Sequence, residues 1–225
     1  MPDGLRTTVR GVIDRRVGTN ERTSVLASLT GADLLSLGAL FLAWTSVLAF
    51  FRGAPNHALL LMFGGYALDK TDGAYARWRG VSSPFGRQID SFIDVFVYLV
   101  TGALLFHYAV SPHPLVGAVV GFRILAFGGL RLVRHNAEGF GDESGTSYYH
   151  GTTVAHTNLV VVASYLLLHL LPLWNGWVAA VAVALACPPM VSDYRSYNTR
   201  ASHALASGAA LLAAGLVVLI ELGHL

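Results

Sequence analysis

The chain has 225 residues, 54% of them hydrophobic and 12% charged, with a formal net charge of +2 and a mean hydropathy of +0.55. Soluble globular domains carry about 25% charged residues, so this composition excludes an ordinary soluble domain and points to a protein built in lipid. One cysteine, Cys187, excludes an internal disulfide and reads as a small buried hydrophobe in an apolar run.

The first 22 residues are too polar to supply the apolar core of a cleaved secretion signal. Within them Leu5, Val9, Val12, Ile13 and Val17 recur at helical spacing with Arg6, Arg10, Arg15 and Arg16 between. That pattern predicts a helix lying in the membrane surface, its arginines toward anionic head groups. Spanning helices need roughly 20 mostly apolar residues. Seven segments qualify: 27–50, 55–77, 86–109, 113–135, 153–173, 177–194 and 203–222, the sixth being the shortest. Residues 135–152 read as a polar loop. The expected organisation is one domain over 1–225, with a cytoplasmic interfacial segment at 1–22 and a transmembrane bundle over 23–225.

Lysine and arginine positions give the topology. With the amino terminus in the cytoplasm, the inner segments hold Arg6, Arg10, Arg15, Arg16 and Arg22, then Lys70, Arg77, Arg79 and Arg87. Arg131, Arg134, Arg195 and Arg200 follow on the same side, and the outer loops hold only Arg52. This asymmetry follows the positive-inside rule. It predicts a multi-pass protein of the cell membrane whose acidic window, residues 69–94, faces the cytoplasm.

Four of the nine aspartates fall in that window: Asp69, Asp72, Asp90 and Asp94. Asp69 and Asp72 are three apart on one helix, with Gly73 and Ala76 on the same stripe. Gly86, Asp90 and Asp94 are spaced by four on the next. A turn at 80–84 lets the two acidic stripes face each other. A carboxylate at mid-bilayer depth costs about 2.5–3.5 kcal/mol, so four of them ask for a counter-charge. Hard divalent cations favour oxygen ligands, and a pair of them could clamp a pyrophosphate. The small residues Gly73, Ala76 and Gly86 suit either close helix packing or close approach of a ligand. Arg77 suits phosphate binding and equally a topology-setting charge.

The series Asp72-Gly73-x2-Ala76-Arg77-x8-Gly86-x3-Asp90-x3-Asp94, with Asp69 three residues before it, resembles the signature of the CDP-alcohol phosphotransferase family. The resemblance implies an all-α integral membrane enzyme with a six-helix core, here with the amino-terminal interfacial helix and a seventh, carboxy-terminal span. It implies a homodimer, a CDP-linked lipid as donor, displacement of CMP by an acceptor hydroxyl, and one or two divalent cations, Mg or Mn. Carried onto this chain, Asp69, Asp72, Asp90 and Asp94 hold metal, and Asp94 is the candidate general base. Asp69, Asp72, Gly73, Ala76, Arg77 and Gly86 surround the cytidine nucleotide.

The fourth segment ends Arg131-Leu132-Val133-Arg134-His135-Asn136, and Gly151 and Met190-Val191-Ser192 follow. These stretches resemble the phosphatidylserine synthase branch, which includes archaetidylserine synthases. Two departures stand in them: His135 occupies the place of the usual aromatic residue, and Thr152 follows Gly151 where Leu-Pro is common. Arg131, Arg134 and Asn136 suit a serine carboxylate, and read otherwise as charges and polar groups at a helix end. Arg123, near mid-span, is expected either in a substrate cavity or beside an acidic partner. The reading is a transferase acting on CDP-diacylglycerol or CDP-archaeol with L-serine as acceptor, its other partners membrane lipids and no nucleic acid. Two alternatives stand beside it: the same chemistry on glycerol phosphate or inositol phosphate, and a cation transporter using the intramembrane carboxylates.

Overall fold

The computed structural model describes residues 29–80, 84–143, 145–197 and 199–224. The interfacial helix expected within residues 1–22 lies outside them. From Gly31 onward the chain forms one compact helical unit. Its helices are α1 (Gly31–Phe51), α2 (Pro55–Arg79), α3 (84–110), α4 (Pro114–Glu138), α5 (Val154–Leu170), α6 (Gly176–Ala186) and α7 (Arg200–Glu221).

Helix ends follow local chemistry. Pro55 and Pro114 occupy first-turn positions, where a missing N–H costs nothing. Gly80 closes α2 in the left-handed conformation at φ 65°, its N–H turned back to the carbonyls of Ala76 and Arg77. Thr153 with His156, and Thr199 with Ser202, form reciprocal caps that start α5 and α7. Asn175 caps α6 through Oδ1, which accepts from the N–H groups of Trp177 and Val178.

The bundle is arranged as lipid requires. On α1, Leu34, Phe41, Trp44 and Phe51 are exposed, while Ala39, Ala43 and Ser46 are buried. Apolar bulk therefore points outward and small residues point inward, which lets backbones approach. A Cβ on Gly65 of α2 would lie 3.3 Å from the Ala39 carbonyl, and Ser46 Oγ donates to the Ala58 carbonyl at 2.7 Å. These contacts hold α1 against α2 and set the height of the aspartates at the far end of α2.

Among the described residues, four helical stretches are long and apolar enough to cross a bilayer: Gly31–Phe51, Gly86–Val110, Pro114–Glu138 and Ala204–Glu221. Helix α2 is as long as α4 but carries the carboxylates, and α5 is shorter. The sixth segment departs most from expectation. The regular helix stops at Ala186, because Pro188 and Pro189 lack the N–H groups needed to continue it, and Pro188–Val191 turns as a 3₁₀ segment. The apolar run expected over 177–194 is thus an 11-residue helix and a tight turn.

The polar stretch at 135–152 is not a plain loop. Helix α4 runs on to Glu138, and strands β1 (Gly141–Glu143), β2 (Thr146–His150) and β3 (Arg195–Tyr197) form an antiparallel sheet in the order β1-β2-β3. Tyr148 pairs with Tyr197, so the sheet ties the α4–α5 connection to the α6–α7 connection. At its edge, Glu143 accepts from Tyr197 Oη at 2.6 Å and from Arg195 Nη1 at 2.9 Å. These two bonds, Tyr197 first, hold its carboxyl below the usual range. The all-α class stands, with this small sheet added at one end of the bundle.

Candidate active site

Helices α2 and α3 bring the predicted carboxylates together. One oxygen each from Asp69, Asp72 and Asp90 lies within 4.8 Å of the others, with Asp69 and Asp72 buried and Asp90 exposed. Asp94 lies outside that trio. A four-residue step along an α-helix rises about 6 Å and overshoots one turn by about 40°, which carries Asp94 past the point where the other three converge. Its electrostatic neighbours are Asp69 and Asp90 and, with opposite sign, Arg131 and Lys70.

The two buried carboxylates each have a side-chain partner. Ser36 Oγ of α1 donates to Asp72 Oδ2. Tyr98 Oη of α3 donates to Asp69 Oδ2 at 2.7 Å, and Lys70 Nζ stands 3.8 Å from the same oxygen. Hydrogen bonds of this kind fix carboxylate rotation, as outer-shell partners do around metal centres. Three converging oxygen donors, two of them buried, with a single lysine ammonium beside Asp69, form a donor set that fits a hard divalent cation.

The remaining predicted residues are distributed unevenly. Gly73 faces its own helix's Arg77, whose Nη1 would lie 3.3 Å from a Cβ there, and the Arg77 charge acts on Asp90. Ala76 follows on α2, and Gly86 lies one turn before Asp90 on α3. Asn136 Oδ1 accepts from Ser91 Oγ at 3.1 Å, which ties the end of α4 to α3. Arg131 is buried with its guanidinium 5.4 Å from the centre of the Tyr149 ring. Burial pushes the Tyr149 phenol up, with the Arg131 charge opposing.

Two arginines have other engagements. Arg134 donates to the carbonyls of Val191 at 3.1 Å, Ser192 at 2.9 Å and Met190 at 3.4 Å. It holds the turn after α6 against α4. Arg123 donates to the Ala184 carbonyl at 3.0 Å and lies over the Phe127 ring, its Nε buried without a hydrogen bond. The structure thus seats it against α6. His135 takes the aromatic role that its position calls for, meeting Phe140 edge-on at 4.9 Å and Tyr149 at 6.3 Å.

A cavity of about 110 Å³ opens between α2, α3, α5 and α7 beside the aspartates. Lys70, Tyr98, Tyr149 and Asn158 line it together with Met62 and Ala210. Its α2 wall runs from Met62 to Lys70, about 12 Å at 1.5 Å per residue. Polar groups from the aspartate level and apolar groups further along make it amphipathic. Sequence reasoning missed Ser36, Lys70, Tyr98 and Asn158; only Tyr98 carried a signal, since it continues the four-residue series of Asp90 and Asp94.

With this geometry in place, comparison with known proteins decides the family. The family described as CDP-alcohol phosphatidyltransferase matches residues 29–188. The chain belongs to that family. As a CDP-alcohol phosphatidyltransferase family member it has two similar relatives of stated activity. It is 34% identical over 106 residues to an archaetidylserine synthase of Methanothermobacter thermautotrophicus, covering 46% of each chain. It is 34% identical over 84 residues to a CDP-diacylglycerol–serine O-phosphatidyltransferase of Bacillus subtilis, covering 37% of this chain and 48% of the relative. The matched stretches span about half the length of these relatives. The family match contains α1 to α6 and every predicted site residue, and α7 lies beyond it.

Proposed function

We propose that this chain transfers a phosphatidyl-type group from a CDP-linked lipid to the hydroxyl of L-serine, releasing CMP. The observation that carries the reading is the convergence of Asp69, Asp72 and Asp90 from two facing helices, with Asp94 one turn beyond. A divalent cation, Mg or Mn, held by those three carboxylates would neutralise the diphosphate and the oxygen that leaves with CMP. Arg77, folded back toward Gly73, adds a fixed positive charge for the nucleotide phosphates. Gly73, Ala76 and Gly86 leave room for the cytidine at the helix backbones.

Asp94 takes the proton of the serine hydroxyl as its oxygen bonds to the lipid-side phosphorus. The bond from that phosphorus to the CMP oxygen breaks, and the electron pair leaves with CMP. Asp94 suits the base role because it stands outside the trio, with its carboxylate uncommitted to Tyr98 or Ser36. Arg131, whose charge acts on Asp94, receives the serine carboxylate, and Asn136 completes that side. The same reading puts the site at the cytoplasmic face, from the lysine and arginine distribution.

Serine is favoured over a polyol phosphate by the arginine count. A second phosphate needs a denser cationic set, yet Arg123 and Arg134 spend donors on backbone carbonyls. A panel of radiolabelled acceptors with a CDP-lipid tests this. Serine is expected to enter lipid with equimolar CMP release, and glycerol phosphate and inositol phosphate are not. Incorporation of a polyol phosphate without serine would reverse the assignment, and metal-independent cation flux with no CMP would favour a transporter.

A further inference from the structure

Tyr98 lies four residues after Asp94 and so extends the series Gly86, Asp90, Asp94. Three four-residue steps in a regular α-helix would carry position 98 about 120° around from position 86. Helix α3 switches to i→i+5 bonding over Val95–Val100, directly after Asp94, and the wider turn takes back part of that drift. Tyr98 Oη thereby reaches across to α2 and donates to Asp69 Oδ2 at 2.7 Å. Within the same wide turn the Tyr98 carbonyl accepts from Asn158 Nδ2 of α5 at 2.8 Å. Gly102 makes that bond possible, since a Cβ there would lie 2.9 Å from Asn158 Nδ2. Tyr66 braces the ring edge-on at 6.1 Å.

We propose that Tyr98 is a positioning residue of the carboxylate centre, held in place by Asn158, and that it keeps Asp69 available to a divalent cation by holding Lys70 at ion-pair distance rather than in hydrogen-bond contact. The inference rests on the metal reading of the aspartate trio. Lys70 Nζ stands 3.8 Å from the oxygen that Tyr98 occupies, outside good hydrogen-bond range. Removing the phenol hydroxyl leaves that oxygen to the ammonium. The ion pair already present at 3.8 Å then closes to hydrogen-bond contact and competes with the cation for Asp69. The path Asn158–Tyr98–Asp69 couples α5, which lines the cavity, to the centre on α2 and α3.

The test is Mn²⁺ binding to the full chain in detergent, followed by the electron paramagnetic resonance signal of free Mn²⁺. Tyr98→Phe keeps the ring and its contact with Tyr66, and is expected to bind Mn²⁺ about tenfold more weakly, the lower end of the effect of losing an outer-shell partner. Asn158→Ala should weaken binding in the same direction by less. Adding Lys70→Met to Tyr98→Phe should recover most of the lost affinity, which a merely structural role of the tyrosine would not allow. Tyr165→Phe removes a phenol bonded to Asn56, 13 residues or about 20 Å along α2 from Asp69, and should leave Mn²⁺ binding unchanged. Unfolding temperatures in a chelator report whether each variant is folded. Wild-type affinity in folded Tyr98→Phe overturns the proposal, and so does failure of the Lys70→Met rescue. Absence of Mn²⁺ binding in the wild type overturns the metal reading beneath it.

Discussion

Asp94→Asn is expected to lower the rate of serine-dependent CMP release by about 10²- to 10⁴-fold, the range a positioned general base supplies. Binding of the CDP-lipid should survive, because Asp69, Asp72 and Asp90 converge without Asp94. Asparagine preserves the shape of the side chain but cannot accept the proton. Arg131 then acts on a neutral amide instead of a carboxylate, so the affinity for serine should change less than the rate. Single-turnover CMP release and titration with CDP-lipid separate the two effects. Near-normal turnover would remove Asp94 from the base role.

Gly151→Ala is expected to cost at least about 3 kcal/mol, combining left-handed backbone strain with a steric clash. Gly151 sits at φ 75°, and a Cβ there would lie 2.2 Å from the Met190 carbonyl oxygen. That atom is backbone and has no rotamer to adopt. The clash falls where β2 enters α5: Gly151 N–H donates to the Tyr194 carbonyl at 2.7 Å, and Thr152 N–H to the Pro189 carbonyl at 3.1 Å. Tyr149 lies two residues earlier, under Arg131. For a chain of 150–250 residues the loss corresponds to a midpoint lower by roughly 6–12 °C. Thermal unfolding in detergent measures it, and an unchanged midpoint would show that the joint between sheet and turn yields.

The aspartates were legible because helix geometry turns spacing into position. Residues three or four apart share a face, and a glycine turn at Gly80 reverses the chain between the two acidic stripes. The helices other than the sixth were legible to within a few residues from apolar length, and among the described residues four helical stretches are long and apolar enough to cross a bilayer. The sheet was not, because its strands are three to five residues long and β2 pairs with residues almost 50 positions away. Nothing local in Tyr148 or Tyr197 announces that pairing. Hydropathy also reads through Pro188 and Pro189, where the backbone cannot.

The arginines of α4 show a different limit. Arg123, Arg131 and Arg134 are chemically equal in the sequence, and what separates them is which backbone carbonyls or carboxylates the fold sets within reach. Arg134 meets the carbonyls of residues 190–192 at the 3₁₀ turn, whereas Arg131 lies over Tyr149 with its charge acting on Asp94. Tyr98 was legible in its spacing alone, for a related reason. Its alignment with Asp69 depends on the switch to wider helical bonding after Asp94, which no residue type in Val95–Val100 dictates.

Carboxylates from two neighbouring helices are proposed to hold one divalent centre. Anomalous diffraction from crystals of the full chain grown with Mn²⁺ and CMP tests it most directly. A manganese peak is expected in contact with oxygens of Asp69, Asp72 and Asp90, lost on soaking with a chelator. Manganese bound elsewhere on the chain, with those three carboxylates bare, would contradict it.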